Sequence, residues 1–179
     1  MSAKETVKIP DQVDVEYKKG TLTVEKDGDK VEKKLNHAQL KVQVKNDKVV
    51  FKTNSNNKGI ESIVGTYKTH LQNMLDGLQN PHIYKMKGVY AHFPMDIKQK
   101  GNEIHVENFM GERNPRKTTI RDNVDVQIDG DELTLKSPDK EAVSQTAAQI
   151  EQNCKKGNRD PRTFQDGVYI TETKQEGEA

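Results

Sequence analysis

Tryptophan is absent from this chain, cysteine occurs once, and no arginine appears before residue 113. Each scarcity excludes something. With no tryptophan and only 31% apolar residues across 179 positions, the chain can build modest cores only, in one domain or two small ones. One thiol, Cys154, rules out an intramolecular disulfide and any multi-cysteine metal site, a usage that fits a reducing compartment. The opening MSAKETVKIP lacks the apolar run of a signal peptide. No later stretch approaches the roughly 20 apolar residues of a membrane span. The chain is therefore expected in the cytoplasm. Neither a GxxxxGK[ST] loop nor a GxGxxG turn at a strand–helix junction is present. His37, His70, His82, His92 and His105 show no metal-ligand spacing, so no metal and no cofactor are expected. An enzyme would need a cleft of converging titratable groups, and none can be assembled here. A net charge of +1 excludes a uniformly basic coat, so binding to a polyanion would require a local patch.

What charge there is lies unevenly. Residues 1–90 hold sixteen lysines, eleven acids and no arginine, whereas residues 91–179 hold eight lysines, five arginines and seventeen acids. All the arginine falls in the more acidic half.

The chain also repeats itself. LKVQVKNDKVVFKT (40–53) aligns with VDVQIDGDELTLKS (124–137) at an offset of 84, matching Val42 to Val126, Gln43 to Gln127, Asp47 to Asp131 and Lys52 to Lys136. Both alternate apolar and polar residues about a turn, Asn46-Asp47 or Asp129-Gly130, the pattern of a half-buried β-hairpin. Leu40, Val42, Val44, Val49 and Phe51 are expected to face inward. Each hairpin is followed by an amphipathic helix: Ile60, Ile63, Val64, Tyr67, Leu71 and Met74 mark the first, Val143, Ala147, Ile150 and Cys154 the second. Ser137 as N-cap, Pro138 at the first helical position, acids Asp139 and Glu141, and Lys155, Lys156 and Gly157 at the far end bound the second helix. On that stripe Cys154 reads as a small buried residue, not a nucleophile. Upstream, Val13, Val15, Tyr17, Leu22 and Val24 alternate across KKG, as Ile97, Ile104 and Val106 do across KGN. LDGLQNPHIY (75–84) aligns with KKGNRDPRTF (155–164), and GVY recurs at 88–90 and 167–169. The fold expected is α+β: two tandem copies of a small antiparallel sheet, each covered on one face by a single helix, spanning 1–87 and 88–179.

Two copies of one pattern provide an internal control. After Val24 the first copy turns through Lys26-Asp27-Gly28-Asp29, while after Val106 the second runs through the far more basic FMGERNPRK, and the stretch from Val106 to Val126 is two residues longer than that from Val24 to Val42. After the helix, Leu75, Asp76, Gln79 and His82 become Lys155, Lys156, Arg159 and Arg162. The fold does not require these cations, since the first copy does without them. Arginine pairs bidentately with phosphate and stacks on bases, and all five arginines, Arg121 included, lie in or just beyond these two loops. Gly111 and Gly157 permit close backbone approach to a phosphate, while Pro115 and Pro161 stiffen the loops. Phe109 is a candidate to stack on a base. Phe164 aligns with Tyr84 and is expected in the core.

ENFMGERNPRKTTI, DGDELTLKSPDKEAVSQTAAQIEQ and RTFQDGVYI resemble the archaeal and eukaryotic branch of large-subunit ribosomal protein six, and the likeness spans nearly the whole chain. The resemblance implies a two-domain protein that binds large-subunit ribosomal RNA chiefly through its second domain, near the factor-binding region and the sarcin-ricin loop. It implies RNA contacts at Gly111, Arg113, Asn114, Arg116 and Lys117, and at Lys155, Arg159 and Arg162. The bacterial branch carries a glycine- and lysine-rich phosphate-binding segment near its C-terminus that this chain lacks, so that branch's contacts do not transfer to residues 157–170.

The function expected is that of a non-enzymatic constituent of the large ribosomal subunit, on cytoplasmic ribosomes, clamping folded RNA by its backbone. Its partners would be large-subunit ribosomal RNA and neighbouring ribosomal proteins, with no membrane and no small-molecule substrate. The candidate RNA-binding set is Gly111, Arg113, Asn114, Arg116, Lys117, Arg121, Lys155, Lys156, Arg159 and Arg162. The alternative is a duplicated protein-binding adaptor whose arginine loops grip acidic partners. On the sequence alone, Arg113→Ala and Arg116→Ala should each weaken RNA binding and lower the slope of log affinity against log salt by about one unit. Both should leave folding almost untouched, and Lys26→Ala should change neither. Titrations at several salt concentrations beside thermal melts check this.

Overall fold

Alternation of apolar and polar residues decides most of the strands, and turns with left-handed backbone join them. The computed structural model describes residues 3–55, 57–155, 157, 160 and 162–177. The chain divides into two units, Met1–Gln79 and Asn80–Ala179.

In the first unit, β1 (Lys4–Lys8), β2 (Asp14–Lys18), β3 (Thr21–Lys26), β4 (Asp29–Lys34), β5 (Leu40–Lys45) and β6 (Lys48–Thr53) precede helix α1 (Lys58–Gln79). They form two antiparallel three-stranded sheets, ordered β1-β6-β5 and β2-β3-β4. The β3–β4 hairpin closes through Asp27 (φ 52°) and Gly28 (φ 96°), two positive-φ residues as a type I′ turn demands. Val7, Leu22, Val24, Val49, Phe51, Val64 and Leu71 share one core, with the Phe51 and Tyr67 rings edge to face at 6.1 Å. Burying each large side chain there contributes about 1.5–3 kcal/mol. A Lys68–Glu5 ion pair at 2.8 Å joins α1 to β1.

The second unit runs β7 (His82–Val89), β8 (Asp96–Lys100), β9 (Glu103–Glu107), a short 3-10 turn (Phe109–Gly111), β10 (Arg116–Thr119), β11 (Asp125–Asp129), β12 (Glu132–Ser137), α2 (Lys140–Asn153) and β13 (Gly167–Gln175). Its antiparallel sheets are ordered β10-β9-β8 and β11-β12-β7-β13. Met86, Ile104, Phe109, Leu133, Leu135, Val143, Ile150 and Cys154 lie in its core.

The protein is thus α+β, with two helices and four small antiparallel sheets among the described residues. Several expectations change. The division falls at residue 79, not near 88, because β7 pairs with β12 and β13 in the middle of a second-unit sheet. The two GVY segments lie antiparallel to each other, with Gly167 opposite Val89 and Val168 opposite Gly88. Short, charge-rich β1, β4 and β10 went unread because each is only four to six residues and buries few side chains. Asp139, not Ser137, caps α2, its Oδ1 accepting from Glu141 N at 2.8 Å. Ser137 ends β12 and donates its hydroxyl to Asn123 O. The second hairpin turns through residues 130–131, one position later than read. Val44 is exposed because β5 is an edge strand.

A fragment of residues 80–179 should therefore melt cooperatively, whereas 88–179, shorn of the strand between β12 and β13, should not. Calorimetry of the two fragments checks the boundary.

Candidate nucleic-acid interface

The connection from β9 to β10, residues 108–115, is much longer than the two-residue turn that joins β3 to β4. It holds three left-handed residues, Asn108 (φ 57°), Met110 (φ 49°) and Gly111 (φ 78°). Non-glycine residues resist that conformation by about 1–2 kcal/mol each. Two contacts hold the segment there: Phe109 is fully buried, and Asn108 Nδ2 donates to Pro94 O at 3.0 Å. Gly111 packs on the Phe93 ring, which would lie 3.4 Å from an added Cβ.

Arg116 opens β10 and places its guanidinium 4.2 Å above the centre of the Phe109 ring. Nε and Nη2 grip the Glu112 carboxylate at 2.9 and 2.8 Å. Nη1 donates to the carbonyls of Asn153 and, at 3.3 Å, Lys155. Asn153 reciprocates, its Nδ2 donating to Lys117 O at 3.0 Å and to Thr118 Oγ1 at 2.7 Å. The last carbonyls of a helix have no partner within it and carry partial negative charge, so a cation there satisfies both deficits. Glu112 holds the Arg116 pKa above its ordinary value. Cys154 lies buried at this junction, and burial pushes its thiol up to about 11 against the opposing pull of Arg116.

The two cationic segments found in the sequence thus meet, joined by Arg116 and Asn153. Four of the five N–H bonds that a guanidinium can make are spent within the protein, so Arg116 acts as a structural clamp between these segments. Around it Gly111, Arg113, Asn114, Lys117 and Lys155 are exposed. Since Glu112 neutralises Arg116, the net positive charge belongs to Arg113, Lys117 and Lys155. The surface pair of Lys155 with Glu151 at 3.7 Å holds it only weakly. Arg121 is exposed further along α2, its backbone N–H donating to Thr146 Oγ1 at 3.4 Å. Arg162 is also exposed, its N–H bonded to Asp160 Oδ1 at 2.9 Å. Lys156, Arg159 and Pro161 lie outside the described residues.

Both aromatic expectations reverse. Phe109 is buried beneath Arg116 and cannot stack on a base, while Phe164 is 40% exposed. Sequence reasoning also passed over Phe93, 47% exposed beside Gly111, and Glu112, whose i,i+4 spacing to Arg116 was a readable signal. Among the described residues, no three His, Cys, Asp or Glu side chains converge as metal ligands.

The family model described as Ribosomal protein L6 matches residues 93–167. The chain is 43% identical to the large ribosomal subunit protein uL6 of Haloarcula marismortui, over 97% of each chain. It is 41% identical to uL6 of Natronomonas pharaonis over 96% of this chain and 97% of that protein. Against uL6 of Methanococcus vannielii it is 41% identical over 94% of this chain and 93% of that one.

Arg116→Ala should destabilise the protein by about 2 kcal/mol, since it removes the bidentate pair with Glu112 and unpairs the end of α2. It should also expose Cys154 to thiol reagents. Arg113→Ala should shift stability by less than about 0.5 kcal/mol. Denaturant melts and the rate of Cys154 labelling under native conditions check the contrast.

Proposed function

We propose, from the premise that the chain belongs to the Ribosomal protein L6 family, that it is a non-enzymatic structural constituent of the large ribosomal subunit in the cytoplasm. It binds large-subunit ribosomal RNA through the second unit, near the factor-binding region and the sarcin-ricin loop. The observation that carries this reading is the clamp. Arg116 and Asn153 hold segments 112–117 and 153–155 together, leaving Arg113, Lys117 and Lys155 exposed around a neutralised centre. A fixed cluster of cations pays less ordering entropy on meeting a phosphate backbone than cations on separate loops would. Gly111, Asn114, Arg121 and Arg162 extend the surface, and Lys156 and Arg159 belong to the same segment of sequence.

The architecture proposed with it is a tandem duplication, each copy one sheet-covering helix and its strands, spanning 1–79 and 80 onward with β13 added to the second. The order β1-β6-β5 matches β7-β12-β11. Matching hydrogen bonds support it: Thr53 Oγ1 to Gln39 O and Ser137 Oγ to Asn123 O, Leu35 N to Gly20 O and Ile120 N to Asn102 O. The hydroxyl of Thr53 also accepts from Ser55 N, as that of Ser137 does from Asp139 N, both at 3.1 Å.

Neutralising Arg113 and Lys117 to glutamine should lower the salt slope of binding to deproteinised large-subunit ribosomal RNA by about 1.5–2 units. Lys26→Gln should leave it unchanged. Equal loss from all three substitutions would mean diffuse electrostatics, and retention on acidic protein in preference to RNA would favour the adaptor reading.

A further inference from the structure

The sheet β1-β6-β5 has two faces of opposite character. One carries Val7, Val49 and Phe51 into the core shared with α1. On the other, strand register sets Lys4, Lys52 and Lys41 abreast in one row, and Lys8, Lys48 and Lys45 in a second. Thr6, Val50 and Gln43 lie between the rows. No carboxylate occupies this face. Four of the six lysines are exposed and Lys48 and Lys52 are half-buried. The ion pair they make among the described residues is Lys48 with Asp47 of the adjoining turn, at 3.9 Å.

Like charges directly opposite each other across strands destabilise a sheet. The second unit mixes the two signs of charge on the corresponding face of β7-β12-β11. There Lys87 lies opposite Glu132, which itself faces Asp129, and Lys136 lies between Ile83 and Asp125. Lys87 and Glu132 form an ion pair at 3.3 Å. This sheet arrangement can therefore be built with balanced charge, and the first unit departs from that balance.

We infer that the lysine face of β1-β6-β5 is a second polyanion-binding surface, and that its ligand is the phosphate backbone of double-helical RNA. The inference rests on the proposed function only in taking that RNA to be ribosomal. Lysines within a row stand about 5 Å apart and the rows about 13 Å apart, enough to meet phosphates on two strands. The face has neither arginine forks nor aromatic rings, so it is suited to reading charge and shape, whereas single-stranded RNA is held by stacking. Val50 at its centre is buried, which leaves no exposed apolar anchor for a protein partner.

The test uses the full chain with Lys41→Gln, Lys45→Gln and Lys52→Gln combined, beside Arg113→Gln with Lys117→Gln. The probes are a short RNA duplex, a single-stranded RNA of equal length, polyglutamate and deproteinised large-subunit ribosomal RNA. The lysine-face variant should lose about two to three units of salt slope on the duplex, with a melting temperature unchanged or raised as like-charge repulsion is relieved. The loop variant should keep that lysine-dependent part of duplex binding. Unchanged duplex affinity and slope in the lysine-face variant would overturn the inference, as would equal binding of single strands. Competition by polyglutamate as strong as by duplex would replace it with an acidic protein partner. If only the loop variant binds normally, the proposed loop site fails and the lysine face stands; if only the lysine-face variant binds normally, the reverse holds.

Discussion

The guanidinium of Arg116 joins a carboxylate on its own loop to backbone carbonyls at the end of α2, and the positions of Arg113, Lys117 and Lys155 depend on that junction. Its geometry explains why the residue is arginine. The fork must grip Glu112 along one edge, reach Asn153 and Lys155 along another, and lie flat on Phe109, three demands that one planar group meets and a lysine point charge does not. Partial burial strengthens each of these bonds relative to water, and it makes removal of one partner more disruptive than absence of the whole set would be. Burial of Phe109 offsets the left-handed backbone at Asn108 and Met110, so aromatic core and cationic edge stabilise each other.

Two kinds of cation serve two units. In the second, arginine and lysine flank a neutralised clamp on loops whose shape is held by hydrogen bonds. In the first, six lysines stand on a regular sheet, placed by register alone. Two charges 5 Å apart in water repel by about 0.8 kcal/mol before salt screens them. A small sheet carries such a load when the opposite face is anchored, as here by Val49 and Phe51 against α1. A chain with a net charge of +1 thus holds local concentrations of positive charge that its overall composition conceals.

Much of the fold was legible. Hairpins at residues 40–53 and 124–137 follow from alternation, and the stripes Val64, Tyr67, Leu71 and Val143, Ala147, Ile150 face their cores as their spacing implies. The burial of Cys154 followed from that stripe. Strand β7 was not placed correctly, because HIYKMKGV pairs with partners 45 or more positions later and nothing local distinguishes the end of one unit from the start of the next. Phe109 and Phe164 were exchanged for a similar reason: both lie near arginines in sequence, and only packing separates the buried ring from the exposed one.

The sequence by itself determined the periods, the turns and the uneven charge, since these depend on backbone sterics and on the burial of neighbouring side chains. Register inside the first hairpin followed too, and with it the lysine rows on one face of β5 and β6, whereas the second hairpin turns one residue later than its sequence suggests. Tertiary structure alone decided which cations remain exposed to solvent. A guanidinium has a finite set of donors, and whether carbonyls 37 and 39 positions away claim them is settled by how α2 and β10 come together. Arg113 and Arg116, three residues apart and chemically identical, are therefore an exposed charge and a half-buried clamp.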